Sequence, residues 1–221
     1  MRRIAGAALA AMIAGTAPAA ALGPVSFGPD PAALGWDNLT FRGRAPASFA
    51  AQGPNAVSIA ADAGVSVLWR ALPRDFAEGA KARWRWKVDQ GVPATDLARK
   101  GADDRDIAVY FLFADDPSTL DNPPTSLTGA MRKGRALVYV WGGDAAPGTA
   151  IESPHMRGRG QLIVTRPAGA GGWENVSANL RADFRQVFGR EPGPLVGLGI
   201  STDSDDTGTA TRATLSDLVI D

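Results

Sequence analysis

The sequence predicts an all-β fold, a β-sandwich or jelly roll with one short amphipathic helix, on three observations. About nine short apolar runs carry the two-residue alternation of strands. Turn-forming clusters such as Asp62-Ala63-Gly64, Asp115-Asp116-Pro117 and Asp121-Asn122-Pro123-Pro124 separate them, in a chain with 26 glycines and 16 prolines. Only one stretch keeps a helical period, with Val176, Leu180, Phe184 and Val187 or Phe188 on one side and Gly189 where a C-terminal cap belongs.

In chain order, residues 1–21 have the three parts of a secretory signal. These are basic Arg2 and Arg3, an apolar run from Ile4 to Ile13, and small residues at Ala17-Pro18-Ala19-Ala20-Ala21, with cleavage after Ala19 or Ala21. Residues 22–33 read as a Pro/Gly-rich lead-in, and one sandwich domain is expected over 34–221. Its strands are expected at 34–41, 56–60, 65–72, 82–88, 107–113, 136–141, 161–165, 195–201 and 213–220. The helix falls near 178–188, with Arg181, Asp183, Arg185 and Gln186 on its wet face. Gly169 to Gly172 reads as a flexible hairpin tip.

Composition excludes several classes. The 221 residues are 45% hydrophobic, enough for one sizeable core. The chain has no cysteine, so disulfides, thiolate nucleophiles, Cys-ligated zinc and lipid attachment at cysteine are all excluded. Its 23 basic and 23 acidic side chains balance, and without Arg2 and Arg3 the count is 21 against 23, so bulk charge gives no reason to expect nucleic acid or an anionic membrane as partner. No segment approaches the roughly 20 apolar residues of a transmembrane helix. A periplasmic or secreted protein is expected; its oligomeric state is not specified.

Arg83-Trp84-Arg85-Trp86-Lys87-Val88 is the first candidate for a site, because strand alternation puts the tryptophans on one face and the cations on the other. Trp84 and Trp86 read as core, the alternative being an aromatic platform for sugar rings. Arg83, Arg85 and Lys87 then form an exposed basic face, either binding an acidic group such as a uronate or phosphate or pairing with Asp103 and Asp104. The loop Lys100-Gly101-Ala102-Asp103-Asp104 is expected to return beside those cations on a partner strand, which makes Lys100 and Asp104 ligand-binding candidates. Asp103 and Asp104 are also the weak catalytic candidates; being adjacent, they point to opposite faces of a strand. Asp203, Asp205 and Asp206 place oxygens at alternate positions before Gly208, which suggests either a structural calcium site or an acidic hairpin turn. His155, the only histidine, has no Gly-x-Ser-x-Gly elbow to serve and receives no catalytic role. The glycine pairs lack the strand-to-helix grammar of phosphate loops, so no nucleotide cofactor is expected.

Trp84-Arg85-Trp86-Lys87, Lys100 to Asp104 leading into Val109-Tyr110-Phe111-Leu112-Phe113, and Tyr139-Val140-Trp141-Gly142 occur in an order that resembles the exported bacterial domain-of-unknown-function family 3047. Trp173-Glu174-Asn175-Val176, Asp183-Phe184, Phe188-Gly189 and Thr202 to Gly208 resemble its closing signature. The chain departs from that pattern at Ala108, where the family often has an arginine, and near Asn175. The resemblance implies an exported β-rich domain and no particular reaction.

The functional expectation is a non-catalytic binding domain for a glycan or other envelope component, a class-level inference from the fold. The alternatives are a glycan-acting hydrolase or lyase that uses the Asp, Lys and Arg residues named above, and a structural or partner-binding envelope protein.

Overall fold

Runs in which bulky apolar residues alternate with polar ones pair edge to edge, burying one face each. In the computed structural model, which describes residues 23–221, they make two sheets; the predicted signal segment lies outside the described residues. The strands are β1 (Gly23–Pro24), β2 (Asp37–Thr40), β3 (Ser48–Ala51), β4 (Ala56–Asp62), β5 (Val65–Ala71), β6 (Ala82–Gln90), β7 (Arg105–Ala114), β8 (Gly134–Trp141), β9 (Ala150–Glu152), β10 (Gly160–Arg166), β11 (Gly171–Ala178), β12 (Leu195–Asp203) and β13 (Ala210–Ile220). The six-stranded sheet has the order β11-β6-β13-β4-β3 with β1 also on β13, and the seven-stranded sheet has the order β2-β5-β12-β7-β8-β10-β9. All pairings are antiparallel except β8 with β10.

The chain crosses between the sheets at several corners, as in a jelly roll. Asp62-Ala63-Gly64 is one: Gly64 and Ser204 exchange hydrogen bonds there, and a Cβ on Gly64 would stand 2.6 Å from the Ala45 carbonyl oxygen. The inner faces of both sheets share one core, in which Trp84 and Trp86 of β6 meet Phe111 of β7 and Tyr139 and Trp141 of β8. Trp84 lies 5.4 Å from Tyr139 and Trp86 lies 6.2 Å from Trp141, in edge-to-face geometry that adds about 0.5–1.5 kcal/mol per pair beyond burial. The lead-in belongs to this core, since Val25 and Phe27 are buried in it and β1 pairs with β13.

A short helix that the sequence pattern does not reveal, α1 (Leu127–Arg132), starts at Ser126, whose hydroxyl accepts from the Gly129 N–H. The predicted helix is α2 (Leu180–Phe188), with Asn179 before it accepting from the Ala182 N–H and Gly189 after it at φ 65°. Phe184 packs 5.0 Å from Phe113 and so turns the apolar stripe of α2 onto the inter-sheet core. Asp183, expected on the wet face, accepts a 2.6 Å bond from the Tyr139 hydroxyl instead. Among the described residues no helix is long and apolar enough to cross a membrane.

Two expected hairpins are corners. Gly169 to Gly172 carries the chain from β10 in one sheet to β11 in the other, and the Gly169 N–H is tied to Asp106 at 2.8 Å. The acidic segment after Asp203 likewise joins β12 to β13 in the opposite sheet.

Candidate functional site

The outer face of the seven-stranded sheet carries a second apolar layer, with Val67, Tyr110, Leu112, Val138 and Leu162 among its members. Above it opens a cavity of about 780 Å³, within the roughly 300–1,000 Å³ of small-ligand sites. β5, β7, β10 and β12 supply its floor, while the loop after β2, α1, the Lys100 loop and the 153–159 loop supply its walls.

A bulge aims the charged floor residues. Between the pairs Ser201↔Ala108 and Asp203↔Arg105, two residues of β7 oppose one of β12. The extra residue reverses the alternation, so Arg105 joins Tyr110 on the cavity face. Its Nη2 donates to the Tyr110 hydroxyl at 3.0 Å, and that hydroxyl lies 3.1 Å from Ser201 Oγ. Nη1 lies 3.7 Å from an oxygen of Asp103 and 3.3 Å from one of Asp203. Because one nitrogen makes both contacts, the two oxygens are no farther apart than the sum of 3.7 and 3.3 Å, about 7 Å.

The two carboxyls are driven in opposite directions. Burial pushes Asp103 up, but the His155 hydrogen bond, the Arg105 charge and the Gly101 N–H together hold it below the ordinary carboxylate value. Both Asp103 oxygens reach His155 Nε2, at 3.1 and 2.9 Å. Burial, with Asp205 and Asp104 nearby, raises Asp203 to about 8 despite Arg105. Arg105 Nε and Asp203 Oδ1 are buried without a hydrogen-bond partner among the described residues.

These shifts give a pH prediction together with Asp106, which burial raises to about 6 against the Gly169 and Val92 N–H groups. A folded-state value raised above the unfolded one gives stability that is full below about 4 and is lost as pH rises through the folded value. Unfolding free energy is therefore expected to fall between pH 4 and 6 through Asp106 and Asp203, and on toward pH 8 through Asp203, with Asp206, also raised by burial and its neighbouring carboxylates, acting in the same direction. Chemical denaturation across this range should show the upper part of the slope removed in Asp203→Asn and the lower part reduced in Asp106→Asn; slopes unchanged by both would refute the assignment.

The residues singled out from sequence divide between two opposite faces. Lys100, Asp103, Asp203, Asp205 and Asp206 all line the cavity. Arg83, Arg85 and Lys87 do not: β6 and β7 belong to different sheets, so the cations lie on the outer face of the six-stranded one. There Arg83 pairs with Asp221, Arg85 with Asp217 at 2.8 Å and Lys87 with Asp89 at 2.8 Å, so their acidic partners are not Asp103 and Asp104. Arg85 stacks 4.5 Å over Trp173, the exposed tryptophan. Trp84 and Trp86 are core and offer a ligand no ring face.

Asp104 is buried and accepts from the Asp206 and Thr207 N–H groups and from the Thr207 hydroxyl; this ties the corner after β12, and Asp104 does not line the cavity. Asp104, Asp205 and Asp206 bring ligand oxygens within 4.8 Å of one another, close enough to hold a cation, whereas Asp203 turns to Arg105. Arg44 already supplies positive charge there, 2.9 Å from Asp205.

Sequence reasoning passed over His155 and Arg105. The alternation of β7, read without its bulge, places Arg105 on the core side, and nothing in the sequence brings residue 155 to residue 103.

A family profile described as "Protein of unknown function (DUF3047)" matches residues 34–219. The chain belongs to the DUF3047 family. No curated protein matches it. Among solved structures, this DUF3047 member is similar to the xyloglucanase domain of NopAA, a type three effector from Sinorhizobium fredii in complex with cellobiose, at 9% identity over 84% of this chain and 90% of that one, with a TM-score of 0.47. It is also similar to a mutant of ENZbleach xylanase, at 7% identity over 89% and 82% with a TM-score of 0.40. A third is the endo-1,4-β-glucanase CelB2, a cellulase, at 10% identity over 84% and 93% with a TM-score of 0.35. With TM-scores of 0.47 and below, the likeness carries no argument about ligand or reaction.

Proposed function

We propose that this DUF3047 domain is an exported protein that binds an acidic glycan in the cavity over its seven-stranded sheet. The observation that carries this reading is the charge of the lining. Its carboxyl groups Asp103, Asp203, Asp205 and Asp206 each face Arg105 or Arg44, whereas Arg42, Lys100, Arg132 and Arg157 form no ion pair among the described residues. Four unpaired cations on four separate wall segments favour an anionic ligand. The apolar part of the lining, including Leu39, Phe41, Val67, Met131 and Leu162, suits the C–H face of a pyranose ring, while hydroxyls and carboxylate reach the rim.

Isothermal titration calorimetry tests this with oligogalacturonates against neutral cello-oligosaccharides. The acidic series is expected to bind and to weaken about tenfold or more in the double variant Arg132→Gln/Arg157→Gln and in raised salt. Equal affinity for both series, or binding of neither, would refute the reading. Export is supported by the signal-like residues 1–21 and is checked by the N-terminal sequence of protein recovered from the periplasm or medium.

A further inference from the structure

We propose that the cavity also cleaves its ligand, by β-elimination at a uronate residue, with His155 as the general base and Asp203 as the general acid. This rests on the acidic-glycan reading and goes past the non-catalytic binding expected from sequence.

The base has the geometry of a positioned imidazole. Asp103 engages His155 Nε2 through both oxygens, at 3.1 and 2.9 Å, which leaves Nδ1 as the nitrogen without a protein partner among the described residues. A carboxylate on one ring nitrogen fixes the tautomer and the orientation of the ring, so Asp103 is a positioning residue. His155 is half exposed and lines the cavity, whereas Asp103 is nearly fully buried behind it. The acid shares Arg105 with Asp103: Asp203 lies 3.3 Å from the same Nη1 and lines the cavity, and its Oδ1 has no hydrogen-bond partner among the described residues. Asp203 lines the same cavity as His155, and in its protonated form its carboxyl can donate to a leaving oxygen there.

The sign of the cavity's charge selects elimination over hydrolysis. Hydrolysis of a glycosidic bond develops positive charge at the anomeric centre, which unpaired Arg42, Lys100, Arg132 and Arg157 oppose. Removal of the proton beside a carboxylate develops negative charge on the carboxylate oxygens, which the same cations stabilise. In the step, the C5–H bond breaks and its proton passes to His155 Nδ1. The electron pair forms the C4=C5 bond, the C4–O4 bond breaks, and O4 takes the proton from Asp203. Proton exchange with solvent resets both groups, so no further reactant is consumed.

The test uses the mature protein with polygalacturonate, polymannuronate, polyguluronate, polyglucuronate and hyaluronan, followed by the ultraviolet absorbance of the conjugated C4=C5 product and by reducing-end release. At least one polymer is expected to give absorbance and reducing ends together. His155→Gln and Asp203→Asn are each expected to lower the rate about a hundredfold or more. Calorimetry on the same variants is expected to show affinity within about threefold of wild type, since binding rests on the rim cations. Reducing ends without absorbance, no product from any polymer, or product formation undiminished in His155→Gln overturns the elimination. When calorimetry still shows binding in those cases, the glycan-binding reading survives; absence of binding overturns both.

Discussion

Replacing Arg105 with methionine is expected to destabilise the protein by about 3 kcal/mol, the lower end of the roughly 3–5 kcal/mol that follows when one partner of a buried ion pair is removed. Arg105 is the hub of the network, contacting Asp103, Asp203 and the Tyr110 hydroxyl from a position that is only 8% exposed. Without it, Asp103 and Asp203 remain buried beside a thioether. The lower figure applies because Asp203 already tends to hold a proton and Asp103 keeps His155. Adding Asp203→Asn to Arg105→Met should recover part of the loss, since one uncompensated carboxyl is removed. Urea unfolding of the two variants checks this; a single variant as stable as wild type would show that the network does not hold the cavity floor.

The second large effect is expected at Trp86→Ala, about 3–5 kcal/mol by the same measurement, against less than about 1 kcal/mol at its neighbour Lys87→Ala. Trp86 is 1% exposed and packs against Trp84 and Trp141, at ring separations of 5.5 and 6.2 Å. Truncation removes the ring from water-free surroundings and leaves a cavity between two sheets too rigid to close it. Lys87 loses only a surface pair with Asp89 and a 5.7 Å contact with Trp173. Neither substitution touches the cavity lining, so glycan affinity in Lys87→Ala should equal that of wild type. A loss of affinity there would return the site to the basic face of the six-stranded sheet.

Elements whose formation depends on local pattern are legible in the amino-acid sequence. The alternation in β6, the apolar run of β7, and α2 with its Gly189 cap follow from side-chain period and cap chemistry. β3, β9 and β11 are not legible in this way. Ser48–Ala51 and Ala150–Glu152 are short, and Gly171–Ala178 is exposed through most of its length and lies at a sheet edge, so none has a strong apolar alternation. The partner strand expected beside β6 is legible as a strand but not as a member of the other sheet, because alternation reports which faces a strand has and not which neighbour it pairs with.

Local period and short ordered motifs are thus enough for the β-rich class, for the burial of Trp84 and Trp86 opposite Arg83, Arg85 and Lys87, and for the likeness to DUF3047. Where a ligand would sit depends on the packed sheets. Their packing separates Lys100 and Asp103 from the β6 cations, assigns Asp104 to a backbone corner, and brings His155, Arg105 and Asp203 to one cavity. The physical reason is that these contacts depend on a one-residue bulge and on chain crossings between two sheets, and residues 52 and 98 positions apart meet only once both sheets have packed.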